Sequence, residues 1–177
     1  MVSIFQRGIW VISLVVMLSM AMPPIAAEAS PTASIAALPG FKAVFSGTRP
    51  DNLGVHEGML APCPSTPNCV VSQGADAQHA IAPLTYTSAD PAVAMTTLRQ
   101  VVERQPRSEI ITEGDRYLYA EFTSRLMGFV DDVEFYADPA EPGVIQVRAA
   151  ARLGESDLGV NRKRIETIRA AFEAAEG

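Results

Sequence analysis

Three consecutive alternating stretches constrain the fold of this chain most strongly. From Tyr117 to Arg125, from Phe129 to Tyr136 and from Ile145 to Arg152, apolar side chains recur at every second position. A period of two is typical of a β-strand with one buried face. The turn at Gly128 and the loop at 139–143 are short, and short connections join antiparallel neighbours. The pattern therefore predicts an antiparallel sheet.

Two helical patterns and two further strands complete the predicted fold. Asp90-Pro91 predicts the N-cap and first residue of a helix that ends at Pro106, and a second helix is expected to begin between Asp157 and Asn161. Strands are predicted over 81–87 and 108–113. The order β-α-β-β-β-β-α predicts an α+β two-layer sandwich, in which an antiparallel sheet of about five strands carries two helices on one face. The predicted apolar helix faces consist of Ala94, Met95, Leu98, Val101 and Val102, and of Ile165, Ile168, Phe172 and Ala175.

The first 29 residues have the composition of a secretory signal peptide. Arg7 precedes an apolar run from Gly8 to Met22, and Ala27-Glu28-Ala29 supplies the small residues that signal peptidase requires. The run is short for a membrane span of about 20 residues. We therefore expect cleavage before Ser30 and export of the mature protein, with a retained membrane anchor as the alternative.

The rest of the chain divides into an extended lead and one domain. Residues 30–60 contain many prolines and glycines and show little periodicity. We call this segment the lead. Residues 61–177 are predicted to form a single α+β domain, since their length suits one hydrophobic core. No apolar run after residue 29 is long enough to span a membrane.

The charge of the chain argues against nucleic-acid binding. The formal net charge is −6, and removal of Arg7 and Glu28 with the signal peptide leaves it unchanged. A nucleic-acid interface needs a basic surface that neutralises phosphates. The sequence also contains no phosphate-binding glycine loop and no c-type haem motif, and it predicts no cofactor.

Cys63 and Cys69 are separated by five residues that include two prolines. In an exported protein such a pair favours a structural disulfide, and closing a loop of this size contributes about 2 kcal/mol to stability. A redox dithiol is an alternative, although the motif is not Cys-x-x-Cys. A metal site that also uses His56 and His79 is a third interpretation.

The alternation also predicts a row of charged side chains on the sheet face opposite the core. If the loop at 139–143 closes a symmetric hairpin, Glu134 falls opposite Arg148, with Glu121 nearby. One interpretation is a solvated face held by cross-strand ion pairs. The other is a polar site, enclosed by residues 30–79. The predicted charged patch consists of Glu121, Arg125, Asp132, Glu134, Arg148 and Arg152.

Asp131 is unusual because alternation places it on the core face. A buried carboxylate needs a partner, and the basic run Arg162-Lys163-Arg164 at a helix start needs an anion because the helix dipole disfavours cations there. We expect Asp131 to act as a structural clamp between sheet and helix, or else a bound anion to serve the basic run. A calcium site would take oxygen ligands from Asp131, Asp132, Glu134 and Asp157.

Several motifs in combination resemble a known family. They are Cys-Pro-Ser-Thr-Pro-Asn-Cys-Val at 63–70, Glu-Phe-Thr-Ser-Arg at 121–125, Gly128 to Phe135, and Arg148 to Arg164. The chain is similar, over roughly residues 55 to 170, to the uncharacterised family catalogued as domain of unknown function 1499. This resemblance implies no catalytic residue. The family's usual Arg-Ser-Ala-Ser-Arg pattern is replaced here by Arg-Ala-Ala-Ala-Arg at 148–152, which weakens any catalytic role for those serines.

The segment from Gly54 to Pro64 is similar to the cyanobacterial and plastid branch of that family. This similarity implies a location in the periplasm or the thylakoid lumen. It identifies no ligand or partner.

Three functional hypotheses follow. The leading one is a non-enzymatic exported module that binds a small anionic or amphipathic ligand or a protein partner. The first alternative is a hydrolase or isomerase with Asp131 or Glu134 as base, which requires a carboxylate of strongly raised pKa in a cleft. The second is a thiol–disulfide redox protein that uses Cys63 and Cys69. The binding residues of the leading hypothesis are Arg125, Asp132, Glu134, Arg148, Arg152, Arg162 and Arg164.

Overall fold

A six-stranded antiparallel sheet with two helices forms the fold in the computed structural model, which describes residues 45–177. The predicted signal peptide and lead residues 30–44 lie outside the described residues. The strands are ordered β1-β6-β5-β4-β3, and β2 pairs with the start of β6. In chain order the elements are β1 (Cys69–Val71), β2 (Leu84–Thr85), α1 (Pro91–Glu103), β3 (Ser108–Glu113), β4 (Tyr117–Thr123), β5 (Val130–Ala137), β6 (Val144–Ala151) and α2 (Val160–Glu176).

The predicted α+β class is confirmed, with one strand more than expected. Strand β1 was not predicted, because three residues are too few to show an alternation. It exists through its pairing with β6, where Cys69 lies opposite Ala150. The strand predicted over 81–87 is only two residues long, and the rest of that segment follows an irregular path beside the sheet edge.

The helix-facing side of the sheet is the apolar core. Both helices begin as predicted: the Asp90 carboxylate accepts a hydrogen bond from the Ala92 amide at 2.9 Å, and α2 begins at Val160. The predicted face of α1 is buried throughout. In α2 the prediction is wrong for Ala175, which is exposed because it lies in the last turn, beyond the sheet contact. The fully buried core side chains include Phe135, Phe172, Leu98, Leu118, Val147 and Ile165.

The register of the central strands places alternate residues on two distinct faces. Glu134 lies opposite Arg148, as the symmetric hairpin predicted, and Glu121 lies opposite Asp132. Asp131 faces the helices with Val133 and Phe135, because side chains along a strand alternate. The acids of β5 are thus divided between the two sides of the sheet.

The end of the lead covers the side of the sheet away from the helices. Before it reaches this side, the lead packs just ahead of β5, where Phe45 makes an edge-to-face contact with Phe129 and the ring centroids are 5.4 Å apart. The Arg49 side chain reaches Glu121, and the amide of Gly54 reaches Glu134. A solvated face is therefore the wrong interpretation for the middle of this side.

The Cys63–Cys69 disulfide joins the segment after the lead to the start of β1. Asn68 in this loop donates to the Gly154 carbonyl at 2.6 Å and accepts from Asn161 at 3.3 Å. These bonds connect the disulfide loop to the segment that leads into α2. Within residues 45–177, none of the helices has the length and apolar character needed to cross a membrane.

Candidate functional site

The candidate site is the polar face of the sheet, on the side away from the helices. We define the polar face as Tyr117, Tyr119 and Glu121 from β4, Asp132 and Glu134 from β5, Arg148 from β6, and Arg152 just after β6. Alternation brings these side chains to one side. The exposed fractions are 1% for Asp132, 0% for Glu134 and 5% for Arg148. Charges buried to this extent require close partners.

Arg152 is the centre of the first cluster on the polar face. Its Nε donates to both carboxylate oxygens of Asp132, at 3.1 and 2.9 Å, and its Nη2 lies 2.5 Å from Glu121 Oε1. The Tyr119 hydroxyl lies 2.6 Å from Asp132 Oδ1. Arg49 from the lead contacts Glu121 from outside, with Nε at 2.7 Å. This cluster is saturated with partners, as a structural ion-pair network requires.

Glu134 and Arg148 form a second cluster, in which hydrogen-bond donors and acceptors are not all matched. Glu134 Oε1 accepts from the Tyr117 hydroxyl at 2.8 Å and from the Gly54 amide at 2.7 Å. Its Oε2 accepts from Arg148 Nη1 at 3.2 Å. Arg148 Nε is buried and has no hydrogen-bond partner among residues 45–177. Glu134 is thus well supplied with donors, whereas Arg148 retains an unused donor inside the protein.

The electrostatics of the polar face keep the tyrosines neutral and Glu121 ionised. Burial raises the pKa of Tyr117 and of Tyr119 well above the usual range, and the neighbouring carboxylates raise both further. Burial also acts to raise the pKa of Glu121, but the hydrogen bonds from Arg152, Arg49 and Tyr119 outweigh it and hold that pKa below its ordinary value. Both tyrosine hydroxyls therefore act as donors to carboxylates.

Asp131 lies on the helix side and contacts the basic run of α2. Its Oδ2 is 2.6 Å from Arg164 Nη2, and the Arg164 guanidinium also lies over the Phe122 ring at 4.7 Å. Burial raises the pKa of Asp131, and Arg164 opposes that rise. The contact joins β5 to the N-terminal part of α2.

The remaining predicted binding residues do not converge on the polar face. Arg125 is exposed in the turn between β4 and β5. Arg162 donates to the carbonyls of Ala80 and Gln78, at 2.7 and 2.9 Å. Arg164 is on the opposite side of the sheet with Asp131. The structure thus brings together four of the predicted residues, Asp132, Glu134, Arg148 and Arg152, and separates the other three from them.

The residues considered as metal ligands are also separated. Asp131 faces the helices, while Asp132 and Glu134 face the other way, so the four predicted calcium ligands do not point to one position. His79 lies between Asp76 and the Thr66 carbonyl, with ring nitrogens at 2.9 and 3.2 Å from them. His56 lies in a turn closed with Met59. Within residues 45–177 no group of three or more His, Cys, Asp or Glu side chains has the arrangement of a metal site.

Sequence reasoning missed the neutral and backbone members of the site. Tyr117 and Tyr119 donate to buried carboxylates, yet the predicted patch contained charged residues only. Their position in the alternation of β4 was the signal that could have identified them. The contributions of Arg49 and the Gly54 amide had no such signal, because an irregular segment has no period that indicates a face.

A family model described as "Protein of unknown function (DUF1499)" matches residues 59–172. The matched region runs from just before the disulfide loop to the last turns of α2 and includes every residue of the polar face. Arg49 and Gly54, which cover that face, precede it. No curated protein matches the chain.

Proposed function

The chain belongs to the family of proteins of unknown function DUF1499, and from the geometry of the polar face we propose that it is a non-enzymatic exported module that binds a small anionic ligand at Arg148. The proposal rests on one observation, the buried Nε of Arg148 that has no partner among residues 45–177. A carboxylate or phosphate oxygen would supply the missing acceptor.

An unused donor inside a protein has an energetic cost. Leaving a buried polar group without a hydrogen bond destabilises the fold by about 1–3 kcal/mol. Within the described part of the chain, Arg148 donates one hydrogen bond, at 3.2 Å to Glu134, whereas Arg152 donates several to two carboxylates. The guanidinium of Arg148 is therefore the polar-face cation with unused capacity for an oxyanion, and arginine is suited to bidentate contacts of that kind.

Displacement of the lead would give a ligand access to Arg148. The lead is held over the polar face by Arg49, whose side chain is half exposed, and by the amide of Gly54. An exposed ion pair contributes little to stability, about 1 kcal/mol or less. Displacement of residues 49–54 would uncover the Glu134–Arg148 pair without disturbing either helix, so a ligand could reach the unused donor from this side.

The geometry favours binding over general-base catalysis. Glu134 already accepts three hydrogen bonds, from Tyr117 and Gly54 at Oε1 and from Arg148 at Oε2, which leaves one of the roughly four lone pairs of its carboxylate for a substrate. Asp131, the other candidate base, contacts Arg164. The redox alternative requires exchange of the Cys63–Cys69 disulfide with an external thiol, whereas the loop bonds made by Asn68 favour a structural role.

Export is part of the proposal. The secretory composition of residues 1–29 supports it, and a disulfide is characteristic of oxidising compartments. The periplasm and the thylakoid lumen are the proposed locations.

Native mass spectrometry of the exported protein, purified gently with its N-terminus determined, tests the proposed function. We expect a mass above that of the polypeptide, which is lost in Arg148→Gln. The matched control is Arg99→Gln, because Arg99 is a partly exposed arginine away from the polar face that pairs with Glu103 and Glu113 on α1 and β3. Retention of the extra mass in Arg148→Gln would contradict a role for Arg148.

A second measurement needs no variant and covers the case in which Arg148→Gln does not fold. The Nε–H of Arg148 can be followed by NMR while inorganic phosphate or acetate is added to the protein. Binding predicts a saturable shift of that resonance, with the Arg99 Nε–H unchanged. No retained mass and no shift with either anion would overturn the proposal.

A further inference from the structure

A cleft of about 360 Å³ opens at the end of the sheet where β2 ends and where β4 and β6 begin. Its walls come from the segment between β2 and α1, from the residue that precedes β4, and from the loop between β5 and β6. The volume is typical of sites that hold a small molecule. None of the residues that define the polar face lines this cleft, so it is a separate candidate site.

Backbone hydrogen bonds fix the walls of the cleft relative to one another. The Tyr86 amide donates to the Gly143 carbonyl at 3.0 Å, which ties the segment after β2 to the loop between β5 and β6. The Ala137 amide donates to the Arg116 carbonyl at 2.9 Å, which places Arg116 beside the end of β5. Two prolines restrict the backbone of the 138–143 loop. The cleft is therefore shaped by the fold itself.

Asp138 is a buried acid in this cleft that lacks a cationic partner. It is 9% exposed, and its Oδ1 accepts from the Ala140 amide at 2.8 Å, whereas its Oδ2 has no partner among residues 45–177. The other buried carboxylates of β5, those of Asp131, Asp132 and Glu134, each pair with an arginine. A buried carboxylate is costly without a cation. Asp138 is therefore suited to accept a hydrogen bond from a cationic ligand.

Arg116 is the other charged residue that lines the cleft. Its Nη1 lies 3.5 Å from the Ala137 carbonyl oxygen, which directs the guanidinium toward the end of β5. Within residues 45–177 it forms no ion pair, with Asp138 or with any other acid. The cleft thus presents one unpaired carboxylate and one unpaired guanidinium. The rings that form its apolar walls belong to Tyr86, Pro91, Pro139 and Pro142.

Further acids lie at this end of the sheet but do not line the cleft. One of them caps α1, a second accepts from Gln146, and a third accepts from the Thr87 amide. Their charges make the surroundings of the cleft negative, which disfavours a ligand of net negative charge. These acids are Asp90, Asp115, Glu141 and Glu176.

We propose that this cleft binds a neutral α-amino acid with an apolar side chain. The ammonium group of the ligand donates to Asp138 Oδ2, and its carboxylate accepts from the Arg116 guanidinium. The side chain of the ligand lies against the ring of Tyr86 and the proline rings. A single zwitterion supplies both missing partners and adds no net charge, whereas an amine or a carboxylic acid supplies one of them. The site is independent of the one proposed at Arg148.

L-leucine and two analogues that each lack one charged group test the proposal by isothermal titration calorimetry. Isoamylamine keeps the ammonium and the side chain of leucine, and isocaproate keeps the carboxylate and the side chain. We expect leucine to bind, isocaproate not to bind, and isoamylamine to bind at least about tenfold more weakly than leucine, because the charge-assisted bond to Arg116 is lost. Failure of leucine to bind, or equal affinity for leucine and either analogue, would overturn the proposal.

Substitution of the two charged residues assigns the contacts. Asp138→Asn should lose leucine binding and still fold, because an asparagine oxygen can accept from the Ala140 amide. Its matched control is Asp115→Asn, at an exposed acid outside the cleft. Arg116→Gln should weaken the binding of leucine but not of isoamylamine. Undiminished leucine binding in Asp138→Asn would refute the role of this carboxylate.

A measurement on the unchanged protein covers the case in which Asp138→Asn does not fold. The tyrosine ring resonances can be followed by NMR while leucine is added. Binding in the cleft predicts a saturable shift for Tyr86, which lines it, and none for Tyr119 on the polar face. A shift of Tyr119 without one of Tyr86 would place the ligand on the polar face and overturn the proposal.

Discussion

The two faces of the sheet are both buried, but different interactions stabilise them. On the helix side, regular elements cover apolar side chains, and Asp131 contacts Arg164 at the edge. On the polar face, an irregular segment covers carboxylates and arginines that hydrogen-bond to one another. Apolar burial is non-directional and tolerates small displacements of the packed side chains, whereas each buried charge needs a specific polar atom nearby. The polar face is therefore the side on which the proposed ligand would supply a partner for Arg148 Nε, which has none among residues 45–177.

The largest expected effect is on the helix side. Phe135→Ala should lower the free energy of unfolding by about 3–5 kcal/mol, because it removes a fully buried ring and leaves a cavity. Urea unfolding followed by circular dichroism measures the change. The adjacent residue on the other face provides the contrast: Glu134→Gln opens no cavity and can still accept from Tyr117 and Gly54, so we expect a smaller loss even though Arg148 loses its counter-ion. A larger loss in Glu134→Gln than in Phe135→Ala would reverse the comparison.

An effect of similar size is expected in the Arg152 cluster. Arg152→Met leaves Asp132 buried without its cation and should cost about 3–5 kcal/mol. Adding Asp132→Asn should restore part of that loss, because an amide is cheaper to bury than an unpaired carboxylate. A double-variant cycle in urea measures the coupling. Strict additivity of the two losses would show that the ion pair is not the relevant interaction.

The disulfide has a smaller expected contribution. Replacing Cys63 and Cys69 together by serine should cost about 2 kcal/mol, mainly because the unfolded chain gains freedom. The loop lies beside β1 at the sheet edge, so both faces should keep their structure. The same unfolding experiment, with tyrosine near-ultraviolet dichroism as a monitor of the polar face, checks this expectation. A lost near-ultraviolet signal with an intact far-ultraviolet signal would mean that the disulfide organises the polar face itself.

The smallest expected effect is a pH dependence centred on His79. Both ring nitrogens face acceptors, and the hydrogen bond to Asp76 raises the pKa of the imidazole above its ordinary 6.5. Because the folded pKa is the higher one, the stabilisation is full below about pH 6.5 and is lost as the pH rises through the raised pKa. The urea midpoint of the unchanged protein should therefore fall as the pH rises from about 6.5 through the raised pKa of His79.

His79→Gln is the control for that dependence. A glutamine does not titrate, so its urea midpoint should be flat over the same pH window. The Asp76 carboxylate has a lowered pKa because of its bond to His79, so it remains charged throughout that window. An equal slope in His79→Gln would assign the dependence to another group.

How far the sequence predicted the structure depended on the length of each pattern. The strands between Tyr117 and Arg152 were predicted with their faces, and the Glu134–Arg148 pairing followed from a symmetric hairpin. Strand β1 was missed because three residues do not show a period. Of the predicted binding residues, the four on alternate positions of neighbouring strands lie together. Arg162 and Arg164 do not join them, because a helix places them on the other side of the sheet.

The sequence by itself determined the fold class, both helix starts, the two faces of the sheet and the position of Asp131 among apolar side chains. Each of these depends on local periodicity or on capping chemistry between near neighbours in the chain. Only the tertiary structure decided that the polar face is buried, since Arg49 and Gly54 reach it from an irregular segment far away in sequence. The unused donor of Arg148 has the same origin, because it depends on which segments meet in space, and no local pattern encodes that.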